Sequence, residues 1–256
     1  MLNPAAMARD TRTRRALALA ALLPALAGAA LAGTSGAAFA ASEPPTTDAK
    51  NTALVHQIYA DLLNREPDPS AAGWVHVLDI GAPRRDVANA ITASQEYRQR
   101  LVIAGYTDYL HRSPEPLGLA TWVEDLGQGL TVEQLEAAIL GSPEAYDTAG
   151  GSDALWVTSL YQGVLGRSPG PAEIASWVAV LSLGNARMSV AQGFVSSVEH
   201  RNTVVAGFYT KYLGHDADVV GRDGWVVALA CGARQEQIIA GFIASEEYYV
   251  LAQVPH

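Results

Sequence analysis

The chain has 256 residues, one cysteine and a formal net charge of −9, from 26 acidic and 17 basic side chains. The excess of carboxylates repels phosphate backbones and anionic headgroups, which argues against nucleic acid and anionic membrane as partners. A single cysteine forms no internal disulfide, so the stability must come from a packed core.

The first forty residues have the composition of an export signal. Four arginines precede an apolar stretch rich in Ala and Leu, and Ala38-Phe39-Ala40 fits the small-x-small cleavage pattern. We expect a signal peptide over residues 1–40, a Pro- and Thr-containing linker over 41–46, and a secreted or cell-surface protein. A membrane anchor is the alternative, disfavoured because Pro24 interrupts a short apolar stretch. No later segment is apolar and long enough for a stable membrane span.

Signal removal makes the remaining chain more acidic. Residues 1–40 contain four Arg and one Asp, so 13 basic and 25 acidic side chains remain, a net charge of −12. That charge favours solubility and opposes binding to polyanions.

Four tryptophans organise the rest of the sequence. Each is followed by valine one residue on, leucine four on, glycine seven on, serine twenty on and glutamate twenty-two on. Five positions that recur four times define an internal repeat of about 50 residues. We number the repeats first to fourth by their tryptophans. The tryptophans are Trp74, Trp122, Trp177 and Trp225; the serines are Ser94, Ser142, Ser197 and Ser245; the glutamates are Glu96, Glu144, Glu199 and Glu247.

A second pattern recurs upstream of each tryptophan. It consists of a tyrosine, a leucine four residues later and a basic residue two residues after that. The basic residues are Arg65, Arg112, Arg167 and, in the fourth repeat, His215.

The combined pattern resembles a bacterial family known as domain of unknown function 4214. The segments that carry it are YADLLNREPDPSAAGW with SQEY, YTDYLHRSPEPLGLATW with SPEAY, YQGVLGRSPGPAEIASW with SVEH, and YTKYLGHDADVVGRDGW with SEEY. The resemblance extends over residues 54–252 and implies about four copies of a secreted or surface helical module without known activity. Two departures stand out: Gly170 replaces an acid, and the first repeat is one residue short before Trp74.

The periodicity predicts an all-α fold. Trp and Leu four residues apart share one helix face, and the glycine after them suits a left-handed C-terminal cap. A second apolar stripe follows, as at Val87 and Ile91, and the serine then caps a third helix, from Ser94 to about His111 in the first case. Because that helix closes one repeat and opens the next, we expect an array of four three-helix units that share helices.

The spacing also predicts a break in the middle. Seven extra residues lie between Ser142 and Arg167, around DTAGGSDA, where two glycines disfavour a continuous helix. We therefore expect a first pair of repeats over 47–147, a connector over 148–152, a second pair over 153–252 and a tail over 253–256. Trp156 lacks the repeat pattern and lies just past the break, where it is a candidate to seal the contact between the halves.

Antiparallel helices would bring the recurring charges together. The end of the helix that carries the arginine then meets the start of the helix that carries the glutamate, and each charge suits its own helix end. The fourth pair contains a histidine and is expected to depend on pH. The predicted pairs are Arg65 with Glu96, Arg112 with Glu144, Arg167 with Glu199, and His215 with Glu247.

The sequence contains no recognisable catalytic or metal-binding set, so we expect no enzyme and no cofactor. Cys231 aligns with mostly apolar positions and is expected to be buried, and the histidines lack metal-ligand spacing. Asp68, Glu115 and Asp218 recur in the loops, one per repeat. Calcium needs six to eight oxygens, so a turn or capping role is favoured for them.

The functional hypothesis is a non-enzymatic binding or scaffold protein. Its partner is expected to be another extracellular or envelope protein. The alternatives are a glycan-binding module, with Trp156, Tyr248 and Tyr249 as ligand contacts, and a cell-wall hydrolase that uses carboxylates from different repeats.

Export has a direct consequence for the mature chain. We expect its amino terminus at Ala41, because cleavage follows Ala38-Phe39-Ala40. Amino-terminal sequencing of the protein recovered outside the cytoplasm measures this. An intact 27.0 kDa chain retained in the cytoplasm would contradict the prediction.

Overall fold

The computed structural model describes residues 47–254, which form helices and contain no strand. The all-α prediction is therefore confirmed for this range, and none of its helices is long and apolar enough to cross a bilayer. The predicted signal peptide, linker and last two residues of the tail lie outside it. The α-helices are α1 Thr47–Leu63, α2 Ala72–Asp79, α3 Arg84–Thr92, α4 Gln95–Leu110, α5 Pro116–Gly127, α6 Val132–Leu140, α7 Pro143–Thr148, α8 Asp153–Leu165, α9 Pro171–Ser182, α10 Arg187–Val195, α11 Val198–Phe208, α12 Val219–Ala230, α13 Gln235–Ile243 and α14 Glu246–Leu251.

The recurring serines and glycines set the helix boundaries as predicted. Each serine is an N-cap whose side chain accepts a hydrogen bond from the backbone N–H three residues on, and each glutamate lies in the first turn that follows. Each glycine has a positive φ, between 88° and 110°, which a side chain would strain. They are Gly81, Gly129, Gly184 and Gly232.

The predicted break is also present. Helix α7 ends at Thr148, and Gly150 and Gly151 follow with φ of 105° and 68°. The side chain of Ser152 then caps α8 by accepting from the backbone N–H of Leu155 at 3.4 Å. By contrast, α4 runs unbroken from Gln95 to Leu110, and α11 continues into a π-helical turn over Tyr209–Leu213.

The hydrophobic core is not divided at the helix break between α7 and α8. Helix α3 of the first repeat packs against α13 of the fourth, and α6 of the second packs against α10 of the third. We call α3 with α13 the first joint and α6 with α10 the second joint. Two of the three clusters of buried side chains span these joints, and the described residues all belong to one compact unit. The helix break is therefore not a break in the core, and the two halves stay a prediction.

The two joints contain the same stacked pair. At the first joint the guanidinium carbon of Arg84 lies 3.7 Å from the ring centroid of Tyr249, and at the second that of Arg187 lies 3.5 Å from the ring centroid of Tyr146. Both arginines lie ten residues after the tryptophan of their repeat, and both tyrosines lie twenty-four residues after theirs. The fourth repeat therefore meets the first as the second meets the third.

Burial corrects part of the proposed ligand-contact set. Trp156 is 1% exposed, and its Nε1 donates to the carbonyl oxygen of Leu140 at 2.9 Å, so it seals the contact across the connector and is wrong as a ligand contact. Tyr248 is likewise 1% exposed and donates its hydroxyl to Asp61 at 2.7 Å. Tyr249 is half-buried, and Arg84 stacks on its ring. Buried neighbours from two repeats surround each of the first two side chains, and the sequence pattern did not indicate this contact between distant residues.

The four recurring tryptophans are half-buried and pack against the clusters, whereas Trp156 is more deeply buried.

Trp156→Ala is expected to lower the free energy of unfolding by about 3–5 kcal/mol, because it leaves a buried cavity and removes the hydrogen-bond donor to the carbonyl oxygen of Leu140. Trp74→Ala should cost less, since part of the side chain is already in water. Urea unfolding of the two variants measures the difference; equal losses would contradict this account.

Candidate functional site

The most regular polar feature is a clamp made of an arginine and the recurring glutamate at the start of the helix that closes its repeat. In the first clamp, Nε and Nη2 of Arg65 donate to Oε1 and Oε2 of Glu96 at 2.5 and 2.8 Å. Arg112 holds Glu144 with the same two-point geometry, and Arg167 holds Glu199 at 2.5 and 3.2 Å. The predicted ion pairs are confirmed. Planar two-point pairing of this kind fixes orientation as well as distance.

A loop acid completes the first two arginine clamps. Asp68 lies 3.1 Å from Nη1 of Arg65 and also caps the following turn by accepting from the N–H of Ser70. Glu115 lies 2.8 Å from Nη1 of Arg112. These contacts account for the recurring loop acids as structural groups; Asp218 of the fourth repeat likewise caps its helix.

The third repeat shows how the clamp survives the loss of this acid. Gly170 stands in its place, and Glu173, three residues on, pairs with Arg167 at 2.9 Å and accepts from the N–H of Gly170 at 2.7 Å. The hydrogen bonds from Arg167 and from the N–H of Gly170 lower the pKa of Glu173 to about 2. The departure from the family pattern is therefore compensated within one helical turn.

Tyrosines connect the clamps to the tryptophan helices. The guanidinium carbons of Arg65, Arg112 and Arg167 lie 5.0, 5.1 and 4.7 Å from the ring centroids of tyrosines on the preceding helix. In the second and third repeats, the tyrosine hydroxyl accepts from the tryptophan Nε1 at 3.1 Å. Each clamp is consequently an internal brace whose groups are already engaged with one another.

The fourth clamp replaces the permanent charge with a titratable one. Nε2 of His215 lies 2.8 Å from Oε1 of Glu247, and Nδ1 lies 2.7 Å from the carbonyl oxygen of Asp216. The hydrogen bond to that carbonyl, with a further contribution from Glu247, raises the pKa of His215.

A groove of about 600 Å³ lies between α1 and α2. Asp48, Asp79, His56 and His76 line it together with apolar groups such as Val55. Within the described chain, no Lys or Arg side chain is among its lining residues. Its size lies within the range of ligand sites, and its charge suits a cationic group.

Two polar lining residues of the groove do not recur in the second repeat. In the second repeat, the positions of Asp48 and His56 hold Gln95 and Ile103. A sequence comparison between the repeats could have found these differences, but not the concavity.

The remaining sequence candidates have structural places. Cys231 is exposed, which corrects the prediction of burial: its position is the C-cap of α12, where the equivalent Ile80 and Leu183 are also exposed. Among residues 47–254, no three His, Cys, Asp or Glu side chains are grouped so as to hold a metal ion.

Comparison with known proteins identifies one segment. The family model described as domain of unknown function (DUF4214) matches residues 136–204, one copy that runs from α6 through the tryptophan helix of the third repeat into α11. Searches of the curated proteins and of the solved structures found no match. The match supports the module that the residues indicated and carries no activity with it.

The histidine clamp generates a pH prediction. Because the pKa of His215 is raised in the folded protein, its contribution to stability is complete below pH ~6.5, the ordinary value, and is lost as the pH rises through the folded value. His215→Arg, which copies the other three clamps, is expected to remove this contribution to pH dependence. Thermal unfolding of both proteins across this range measures it; an unchanged profile in the variant would contradict the role of the clamp.

Proposed function

We propose that the protein is a secreted or cell-surface, non-enzymatic scaffold built from about four copies of one three-helix module. Each copy contributes a tryptophan helix, the helix with an apolar stripe that follows it, and a clamp to the helix shared with its neighbour. The family match to residues 136–204 supports one copy directly. The same caps, glycines and clamps around the other tryptophans support the remaining copies.

The observation that carries the scaffold proposal is the engagement of the recurring polar groups. Arginines, glutamates and loop acids of the clamps bond to each other and to backbone groups, so the residues that the copies share are used for architecture. Recognition then falls to features that do not recur. The groove between α1 and α2 is such a feature, and we propose it as the docking site.

The chemistry of the groove favours an extended, basic segment of a partner protein. Asp48 and Asp79 place carboxylates along the groove, while Val55 and Ala71 supply apolar contact. A lysine or arginine of the partner would meet negative charge, and its apolar neighbours would meet the floor. The glycan alternative loses the two buried contacts Trp156 and Tyr248 on which it mainly depended.

A peptide of alternating lysine and proline is the probe for this site, with a glutamate–proline peptide of equal length as its counterpart. Fluorescence anisotropy at low salt should show binding of the lysine peptide alone, weakening as salt is added. Asp48→Asn with Asp79→Asn is expected to weaken binding several-fold, because two exposed charge contacts are removed.

The control variant, Asp108→Asn with Glu124→Gln, removes two exposed carboxylates outside the groove at the same cost in net charge. Equal weakening by both variants would show that net charge, and not the groove, determines binding. Absence of lysine-peptide binding would contradict the docking proposal. Binding of an envelope glycan that the groove variant abolishes would favour the glycan alternative. Clearing of cell-wall substrate in a zymogram would favour the hydrolase.

A further inference from the structure

A buried polar cluster lies where the second repeat meets the third. His200, at the start of α11, is 6% exposed, and Glu136 reaches it from α6. Nε2 of His200 and Oε2 of Glu136 lie 3.7 Å apart, and neither buried atom has a hydrogen-bond partner within the described residues. The hydroxyl of Tyr109 on α4 donates to the other oxygen, Oε1, of Glu136 at 3.3 Å.

The hydrogen-bond chemistry of this cluster requires a proton. Nδ1 of His200 lies 3.0 Å from the carbonyl oxygen of Val164 on α8, and a carbonyl only accepts, so Nδ1 carries a hydrogen. In the neutral ring, Nε2 is then an acceptor that faces a carboxylate, and two acceptors repel. A proton on Nε2 turns the same contact into an attraction between an imidazolium and a carboxylate.

The surroundings decide how firmly the proton is held. Burial of the ring opposes the charged form, but the carboxylate of Glu136, the carbonyl of Val164 and the more distant Glu133 outweigh it, and the pKa of His200 is raised. On α11 itself, Glu199 is engaged by Arg167 of the third clamp. The elements packed around the ring therefore present negative groups and carbonyl oxygens.

The first joint contains the uncharged counterpart of this cluster. Counted from the tryptophan of each repeat, the positions of Glu136, His200 and Tyr109 correspond to Ile239, Tyr97 and Tyr212. All three counterparts are buried in the cluster of the first joint, with exposures of 3%, 6% and 4%. At these positions the two joints therefore differ by a part-buried acid and a buried histidine, which occur in the second joint.

We propose that Glu136 and His200 form a proton-operated lock across the second joint, which holds the second and third repeats together when His200 is protonated and loosens when that proton leaves. The first joint, without an ionisable pair at this place, is the permanent contact. Loss of the proton therefore affects the contact next to the connector, where Trp156 and Leu140 pack. The lock makes the attachment of the two halves of the scaffold responsive to the acidity of its surroundings.

The test uses the full chain with His215→Arg, so that the fourth clamp does not contribute its own titration. Ring carbon NMR should show His200 titrating above ~6.5, the value of an unperturbed histidine. Amide exchange in α6 and α8, corrected for intrinsic rates, should lose protection as the pH rises through that titration, relative to α3 and α13 of the first joint. The loss of protection should approach about tenfold for each pH unit that separates the titration of His200 in the folded protein from its titration in the unfolded chain.

Two variants separate the lock from general packing. Glu136→Ile with His200→Tyr copies the first joint and should make the protection of α6 and α8 independent of pH. Glu136→Gln offers an amide that can donate to the neutral ring, and should lower the His200 titration and remove the pH dependence. Titration of His200 at or below ~6.5, equal pH responses of the two joints, or a response that survives in Glu136→Gln would each overturn the proposal. If the double variant does not fold, the NMR titration and Glu136→Gln still decide it.

Discussion

The structure depends on one constraint: the apolar stripe on the helix that follows each tryptophan helix must be covered. Helices α3, α6, α10 and α13 each carry such a stripe, and a helix of nine residues cannot bury it against its own repeat alone. The stripes cover one another in pairs: α3 packs against α13, and α6 packs against α10. Because burial of apolar side chains is the main favourable term in folding, these pairings determine which repeats are neighbours.

The clamps serve this packing by fixing the ends of the helices. Each arginine lies at the end of a shared or first helix and grips a glutamate at the start of the helix that closes the repeat. Exposed ion pairs contribute little stability individually, but two-point geometry sets the angle at which helices meet. The third repeat keeps this geometry with Glu173 when the usual loop acid is absent, which indicates that the geometry matters more than the position of the acid.

Differences between equivalent positions of the repeats indicate which residues serve ligand recognition or a response to pH, and which serve only the architecture. Asp48 and His56 of the groove correspond to Gln95 and Ile103 in the second repeat, and the second joint has Glu136 and the buried His200 where the first has Ile239 and Tyr97. The recurring sequence pattern allows this comparison within one chain, because each position can be compared with its counterparts. The proposed docking site and the proposed lock both rest on such a comparison.

Sequence alone determined the features that act over a few residues or recur at fixed distances. It predicted the serine caps, the left-handed glycines, the break after Thr148 and the Arg–Glu pairs, since these depend on local geometry and on neighbouring helices. Tertiary structure alone decided which repeats pair, that Trp156 and Tyr248 are buried, that Cys231 is exposed, and that His200 meets Glu136. These outcomes follow from contacts between residues far apart in the chain. Because the hydrophobic effect is non-directional, an apolar stripe in the sequence does not specify which other stripe will cover it.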